Sequence, residues 1–476
     1  MGVRSRRVVT GHCGLRLSVA AGPRVERGVF GLGVVLRLYL AIVNREANDD
    51  HLSVIRIIAF QHHLPRLREA WEGFQPKLYH VTTAILWNIS PWQSPTARVL
   101  IAQLVACAAG IATLFIVRNA LIRHAVSPPI RLLAFALVAL NPALIGLNAQ
   151  ATNDSFVIMF STLALDRAYE FFRSGARRDF TLMSASVVLA ALSKGNALVV
   201  FLAITLTFVH AIARPNAIGG LTRRRVIGLA ATFVAIFVVF TFTFGSYRSN
   251  WQDTGNPFSI NGERAPMPHF FKRTYVYRPG TTSIADTYFT FRFVDMLEHP
   301  TITNDADVYP QHRTSLWSQL YGRTHFGHFA QHPPSWKSTN PVVLGVGRLI
   351  LVLALLPTAF LLAGLLRAVV EVTTTAWQQA PKSRETLDQE LLVIVALGFI
   401  AFIVVYSLRY RDFSTMKAEF LFPGLLAYVF FFADEVGRAV TRYSQHPRLR
   451  HVAAFLFAVL LVLYVTDVLI LAVQLT

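Results

Sequence analysis

The sequence is poor in the residues that staple or charge a soluble domain. Cysteine is nearly absent, with two residues in 476. Cys13 lies in a basic terminal tail and Cys107 inside an apolar run, which excludes a disulfide framework and a zinc cluster. Charged residues make up only 15 % of the chain, against about 25 % in soluble domains. Acids are the rarer sign, 26 Asp and Glu against 45 Lys and Arg. There is no internal repeat and no low-complexity tract, which speaks against the repeat-built transporters. Gly31-Leu32-Gly33 and Gly345-Val346-Gly347 lack the strand–turn–helix setting of a nucleotide loop, so they read as sites of close helix packing.

What the sequence has in abundance is apolar length. Hydrophobic residues make up 54 % of it, and runs near 20 residues recur throughout, the signature of spanning helices. The expected class is an all-α polytopic membrane protein of about eleven spans. These fall near 28–44, 96–117, 130–147, 153–172, 179–192, 197–213, 225–245, 342–366, 390–407, 419–434 and 451–474. The fifth and sixth are short and meet around Ser193–Asn196. Leu78–Ile89 is too short to span and is expected in the interface.

The net charge of +19 then has a membrane explanation and does not call for nucleic acid. With the basic tail 1–27 placed in the cytoplasm as part of a signal anchor, the inner loops collect Arg118, Arg123, Arg173, Arg177, Arg178, Arg214, Arg223, Arg224, Arg367, Lys382, Arg384, Arg438, Arg442, Arg448 and Arg450. Two long segments, 45–95 and 246–341, fall outside. The expected organisation is a tail (1–27), an N-terminal transmembrane module (28–245) with the first outer loop 45–95, an extracytoplasmic loop or small subdomain (246–341), and a C-terminal transmembrane module (342–476).

Polar residues on the outer face are the candidates for chemistry. Asn48-Asp49-Asp50-His51 follows the first span. Its two carboxylates can serve as a general base or hold a divalent cation, or can simply cap a helix. Asn153-Asp154 opens the fourth span and brings a third acid to the same face. Phe74-Gln75-Pro76-Lys77-Leu78-Tyr79-His80 enters the interfacial segment. Lys194 lies in a short turn with little polar sequence around it, and needs a partner, water or a route to the interface. Arg409, Arg411 and Lys417 break the charge bias on the side where bases are scarce. Arg and Lys in such a place suit a phosphate or a lipid headgroup. His51, His62, His63 and His80 share one loop, but their spacings match no standard metal site.

Acids in the first two outer loops, cations behind them and a large late loop resemble the GT-C superfamily of membrane glycosyltransferases. The likeness is greatest to the protein O-mannosyltransferase-like branch, that of the dolichyl-phosphate-mannose-protein mannosyltransferases, which also contains the aminoarabinose transferases. It runs from about residue 28 to 435. The motifs are Asp49-Asp50 after the first helix, Gln75 to Tyr79, Asn141-Pro142 with Asn153-Asp154, Lys194, and Arg411 through Lys417, Glu419 and Pro423. The chain departs from the family's usual Asp-Glu at Asp49-Asp50, from Pro-Pro-Leu-Tyr at Pro76 to Tyr79, and from Lys-x-Arg-Tyr at Lys417 to Phe420.

The resemblance implies an inverting glycosyltransferase with a GT-C-like bundle and a polyprenyl-phosphate sugar donor. Asp49 would be the general base, with Asp50 and Asp154 completing the catalytic acids. Lys77, Lys194, Arg409, Arg411 and Lys417 would bind the donor phosphate. His51, Tyr79, His80 and Asn153 would contact substrate. No cofactor is fixed, since relatives differ in metal use. A divalent ion, Mg or Mn, shared by Asp49 and Asp154 stays open. Implied partners are the lipid donor, a lipid, glycan or protein acceptor, and the surrounding membrane lipids. The location implied is a bacterial inner membrane with an extracytoplasmic site, or the endoplasmic reticulum. A transporter or flippase of an anionic lipid, and a non-catalytic assembly subunit, are the alternatives.

Overall fold

The computed structural model describes residues 21–45, 50–214, 218–259, 283–301, 315–329, 336, 338–377, 385–409 and 416–476. Those residues form helices, 3-10 turns and connections, with no strand among them. The chain is an integral membrane protein built as an all-helical bundle.

Each expected span falls on helical chain, but 130–147 is broken by a bend, 342–366 covers two helices, 419–434 opens on two 3-10 turns, and fewer than eleven pass a strict test of length and apolarity. Among the described residues six do, and a seventh if a bent pair counts as one span. The reason lies in the polar residues of the others. Helix α1 (Ala21–Val43) carries Glu26 and Arg37, and α7 (Asp154–Ser174) carries Asp166 and Arg167. These charges are buried against neighbouring helices, so each is matched by protein and not by lipid. Glu26, for example, is 2.6 Å from Arg118 and 3.1 Å from Arg131.

Two interfacial helices, α2 (His51–Gln61) and α3 (Leu78–Ile89), pack on each other and on α4 (Pro95–Arg123). Ser94 caps α4 by accepting from the Ala97 N–H, and Pro95 fits its first turn, where no N–H is needed. Helices α5 (Pro128–Ala139) and α6 (Pro142–Asn148) form the bent pair, with an angle of 50°. Pro142 cannot donate to the preceding turn, so α5 must end before it. Asn141 restarts the chain as the cap of α6, accepting from the Leu144 N–H at 2.9 Å. The break exposes the Ala139 carbonyl, and Arg37 fills the gap. Its guanidinium donates to Ala139 O at 2.7 Å, Gly33 O at 2.9 Å and Asn148 Oδ1 at 2.9 Å. Asn148 presses against Gly110 of α4, where an added Cβ would lie 2.2 Å from the Asn148 amide carbon. Only glycine permits that approach.

Helices α7, α8 (Arg177–Ser193) and α9 (Leu198–Ile212) follow, with a single 3-10 turn, Gly195–Ala197, between the last two. The later described helices are α10 (Arg223–Phe244), α11 (Tyr247–Thr254), α12 (Ile284–Tyr288), α13 (Phe293–Glu298), α14 (Leu316–His325), α15 (Pro341–Leu353), α16 (Leu355–Trp377), α17 (Glu385–Arg409), α18 (Leu425–Arg442) and α19 (Pro447–Gln474). The two ends of the bundle differ in charge. Arginines from the expected inner loops gather at one end on acids: Arg123 on the buried Asp166, Arg214 on the buried Glu390 and Arg367 on the half-buried Glu435. The other end holds the start of α7, the end of α8, the interfacial helices and the candidate site.

Candidate active site

Three separate stretches of chain meet at Asp154 and Lys194. Asp154 begins α7. Lys194 is the single extended residue between α8 and the 3-10 turn, with φ −158° and ψ 146°. That geometry turns its side chain out of the helical path and onto α7. The ammonium lies 2.6 Å from Asp154 Oδ1, and the pair is nearly enclosed, with side chains 14 % and 6 % exposed. Asp154 Oδ2 accepts from the Thr152 hydroxyl at 2.9 Å. The third stretch is the 3-10 turn Ala418–Phe420, which places the Phe420 ring beneath the ammonium, 5.2 Å from Nζ to the centroid.

A chain of buried polar groups leads from Thr152 into the first loop. His51 Nε2 lies 3.5 Å from Thr152 Oγ1, and His51 Nδ1 lies 3.0 Å from His80 Nε2. Burial pushes the His80 imidazole well below its ordinary range, and His51 and Lys77 add to the effect. His80 is therefore neutral at pH 7. Tyr79, its neighbour, turns the other way and donates to the Ala102 carbonyl at 2.9 Å, so it fastens α3 to α4. Burial raises its phenol.

Lys77 and Asn153 belong to a second network. Lys77 Nζ donates to Gly73 O at 2.7 Å, to Gln75 O, and to Ser246 Oγ at 3.2 Å. Burial lowers its pKa to about 7, opposed by the nearby Glu72 and Glu69. Its protons are thus held by protein oxygens, and it ties the first loop to the residues that follow α10. Asn153 donates to Gln75 Oε1 at 2.7 Å and to Ser193 O at 2.9 Å. Gln75 in turn donates to the buried Glu72. Sequence reasoning passed over Glu72, Thr152, Ser246 and Phe420.

The other expected residues are placed as follows. Asp50 stands at the start of α2, where the Ser53 hydroxyl and the Trp71 N–H, at 3.4 Å, both donate to its carboxylate. Lys417 lies 3.7 Å from Glu419, on the turn that carries Phe420. Arg409 closes α17, and nothing is described of its side chain. Asp49 and Arg411 lie outside the described residues. His62 ends α2 in the left-handed region, and His63 meets Glu69 at 2.7 Å, a contact that raises its pKa. Among the described residues no group of three His, Cys, Asp or Glu could hold a metal. Asp154 is already matched by a cation and a hydroxyl, which is a poor fit to a divalent ion, and its expected metal partner Asp49 is not described.

This convergence can be set beside known proteins. Residues 71–248 match the family model of dolichyl-phosphate-mannose-protein mannosyltransferases. The matched segment contains Lys77, His80, Thr152, Asn153, Asp154, Lys194 and Ser246, while His51 and Phe420 lie outside it. No curated protein sequence matches. Among solved structures, the oligosaccharyltransferase of Archaeoglobus fulgidus in its apo form is 13 % identical with a TM-score of 0.46, over 94 % of this chain and 56 % of that one. The present chain thus spans little more than half the length of that enzyme. ArnT from Cupriavidus metallidurans, solved with undecaprenyl phosphate, is 14 % identical with a TM-score of 0.36, over 88 % of this chain and 79 % of that one.

Proposed function

We propose that this protein is an inverting glycosyltransferase that moves a sugar from a polyprenyl-phosphate donor to an acceptor hydroxyl. The observation that carries the reading is the enclosed Asp154–Lys194 pair, which lies inside the mannosyltransferase-like segment and rests on the Phe420 ring from beyond it. A lipid phosphate is already a fair leaving group. The protein then needs a base for the acceptor, in-line positioning, and a cation where negative charge develops.

Lys194 is that cation. Its ammonium carries three donors, and one is directed at Asp154. Asp154 positions Lys194 and does not itself remove a proton, because its oxygens face Lys194 and Thr152. Asp49 is the base. It takes the proton of the acceptor hydroxyl as the oxygen attacks the anomeric carbon. The bond from that carbon to the phosphate oxygen breaks, and polyprenyl phosphate leaves with the electron pair beside Lys194. No step is routed through a metal. Lys77 supports the site by fastening the first loop to Ser246, and Arg409, Arg411 and Lys417 contribute further positive potential. The tail lies in the cytoplasm of a bacterial cell, the site faces outward, and segment 246–341 takes part in acceptor choice.

Reconstituted protein supplied with a panel of polyprenyl-linked sugars and an envelope-lipid or peptide acceptor tests the reading. Asp49→Asn and Lys194→Met are each expected to lower transfer by at least about a hundredfold. Full transfer by either variant, or none by the wild type with any donor, overturns it.

A further inference from the structure

The spanning helices carry marks of their own depth in the bilayer. The span Pro341–Thr374 is 34 residues long. That is about 50 Å of helix, more than a hydrocarbon core of about 30 Å holds even with a tilt of about 40°. Its charges show which part lies in lipid. Arg348 and Arg367 are about 28 Å apart along the helix, and every residue between them is uncharged. Arg367 belongs to the inner end, where it meets Glu435, so Arg348 stands at the outer boundary. On α17 the span Leu387–Leu408 is 22 residues long, about 33 Å. Glu390 marks its inner end beside Arg214, which puts Ser407 at the outer boundary as well.

Residues 283–298, which contain α12 and α13, are fastened to both marks. Tyr288 Oη lies 3.1 Å from Ser407 Oγ. Arg348 donates to Leu297 O at 2.6 Å and to Glu298 O at 3.3 Å. The same stretch is bound to the start of α14. Trp317 Nε1 donates to Tyr288 O, the Arg292 N–H to Ser318 Oγ, and Ser315 Oγ to Thr290 O, each at 2.7 Å. Helices α12 and α13 are therefore held at the level of the outer boundary. Through Leu316 and Leu320 the same unit joins the apolar cluster against which Phe420 packs.

At that level the segment leaves large apolar side chains uncovered. Phe289 is 83 % exposed, Val294 66 % and Ile284 51 %. One exposed apolar residue needs no explanation, but several on one short stretch mark a contact surface. Tyr288 and Trp317 are rings with polar tips, the kind that collects at the headgroup level. The charges give no reason for an anionic partner: Asp286 is paired with Arg292 at 3.0 Å, and Asp295 and Glu298 add negative charge. We infer that residues 283–298 form an interfacial element in addition to α2 and α3, seated on the outer leaflet with Phe289 and Val294 in lipid. The partner is the apolar boundary of the bilayer and not a particular headgroup. This seat does not depend on the transfer reaction.

Nitroxide labels on the full-length protein in phosphatidylcholine nanodiscs measure the depth. They are attached at Phe289→Cys and Val294→Cys in a Cys13→Ser background, since Cys107 is buried. Leu362→Cys on α16, 57 % exposed, is the lipid standard, and Gln445→Cys, in an exposed turn, is the water standard. Both test labels should be more accessible to oxygen than to a water-soluble nickel chelate, at a depth of about 5–10 Å below the phosphates. The depth should hold when anionic lipid is added. It should also hold in about 1 M salt, where charges are screened beyond about 3 Å, because the contact is apolar. The inference is overturned if either label behaves as at Gln445, or if salt or anionic lipid moves them into water. It is overturned equally if oxygen and nickel are both excluded, as they would be by a second copy or another protein covering the patch.

Discussion

The ion pair between Asp154 and Lys194 permits a test of magnitude. Its atoms lie 2.6 Å apart and the two side chains are 6 % and 14 % exposed. Removing one partner of a buried pair strands the other charge, at a cost of about 3 kcal/mol. Replacing both by neutral groups of similar shape removes the stranded charge together with the attraction. Asp154→Asn and Lys194→Met should therefore each lower the unfolding free energy by about 3 kcal/mol, while the double variant falls by about the same amount and not by twice as much. The coupling energy from the cycle is then also about 3 kcal/mol. Thermal and denaturant unfolding in a mild detergent, read by tryptophan fluorescence, measures it. Transfer activity should follow a different pattern. The double variant should be no less stable than either single variant and yet stay inactive, because on the proposed mechanism the leaving phosphate has lost its cation. Additive losses, with a coupling below about 0.5 kcal/mol, would refute the argument that the two residues act as one unit. Recovery of activity in the double variant would refute the role given to Lys194.

Two further outcomes follow from buried charges elsewhere. Burial lowers Lys77 to about 7, so the unfolded chain, where the amine titrates near its ordinary value, holds more protons above that pH. Stability should rise between pH 7 and about 10 on this account. The rise should be smaller in Lys77→Met when melting is followed across that range, and an unchanged pH profile would show that the amine is not desolvated. On the last helix, Asp467 is matched by His328 Nδ1 at 2.5 Å and by the Gly327 N–H at 2.7 Å, all of them buried. Asp467→Ala should cost about 3 kcal/mol and free the Gly327–Phe329 turn, detected as new proteolytic cleavage there. Wild-type protection in that variant would count against the clamp.

Apolar run length was enough to locate the long helices, because a spanning run near 20 residues leaves few other solutions, whereas the short helices α11 to α14 carry no such run. It could not say which helices would stand alone as lipid-facing spans. Arg37 illustrates why. In the sequence it is one charge in an apolar stretch. In the fold it fills the break that Pro142 opens between α5 and α6, donating to Ala139 O, so the charge that weakens α1 as an independent span joins it to α5 and α6. Glu26 and Asp166 are similar, since each meets arginines more than 40 residues distant. No local window contains both partners of such a pair.

The site was legible in its charges and illegible in its neutral groups. Asp154 and Lys194 stood out because a charge near an apolar run demands an explanation, and the structure brings them together across 40 residues. Lys77 stood out for the same reason, although its amine meets protein oxygens and not an open surface. Thr152, Asn196 and Phe420 gave no such signal, since hydroxyls, amides and rings are common at helix ends and interfaces. Yet these neutral residues decide what the charges can do. Thr152 donates to the second oxygen of Asp154 and so fixes the orientation of that carboxylate. Phe420 covers one side of the ammonium, 5.2 Å from Nζ to the ring centroid. Asn196 has polar atoms without partners, a property that exists only once the surrounding helices have excluded water from it. Charge in the sequence thus located the Asp154–Lys194 pair, while the polar groups that the folded chain leaves unbonded became visible only in the structure.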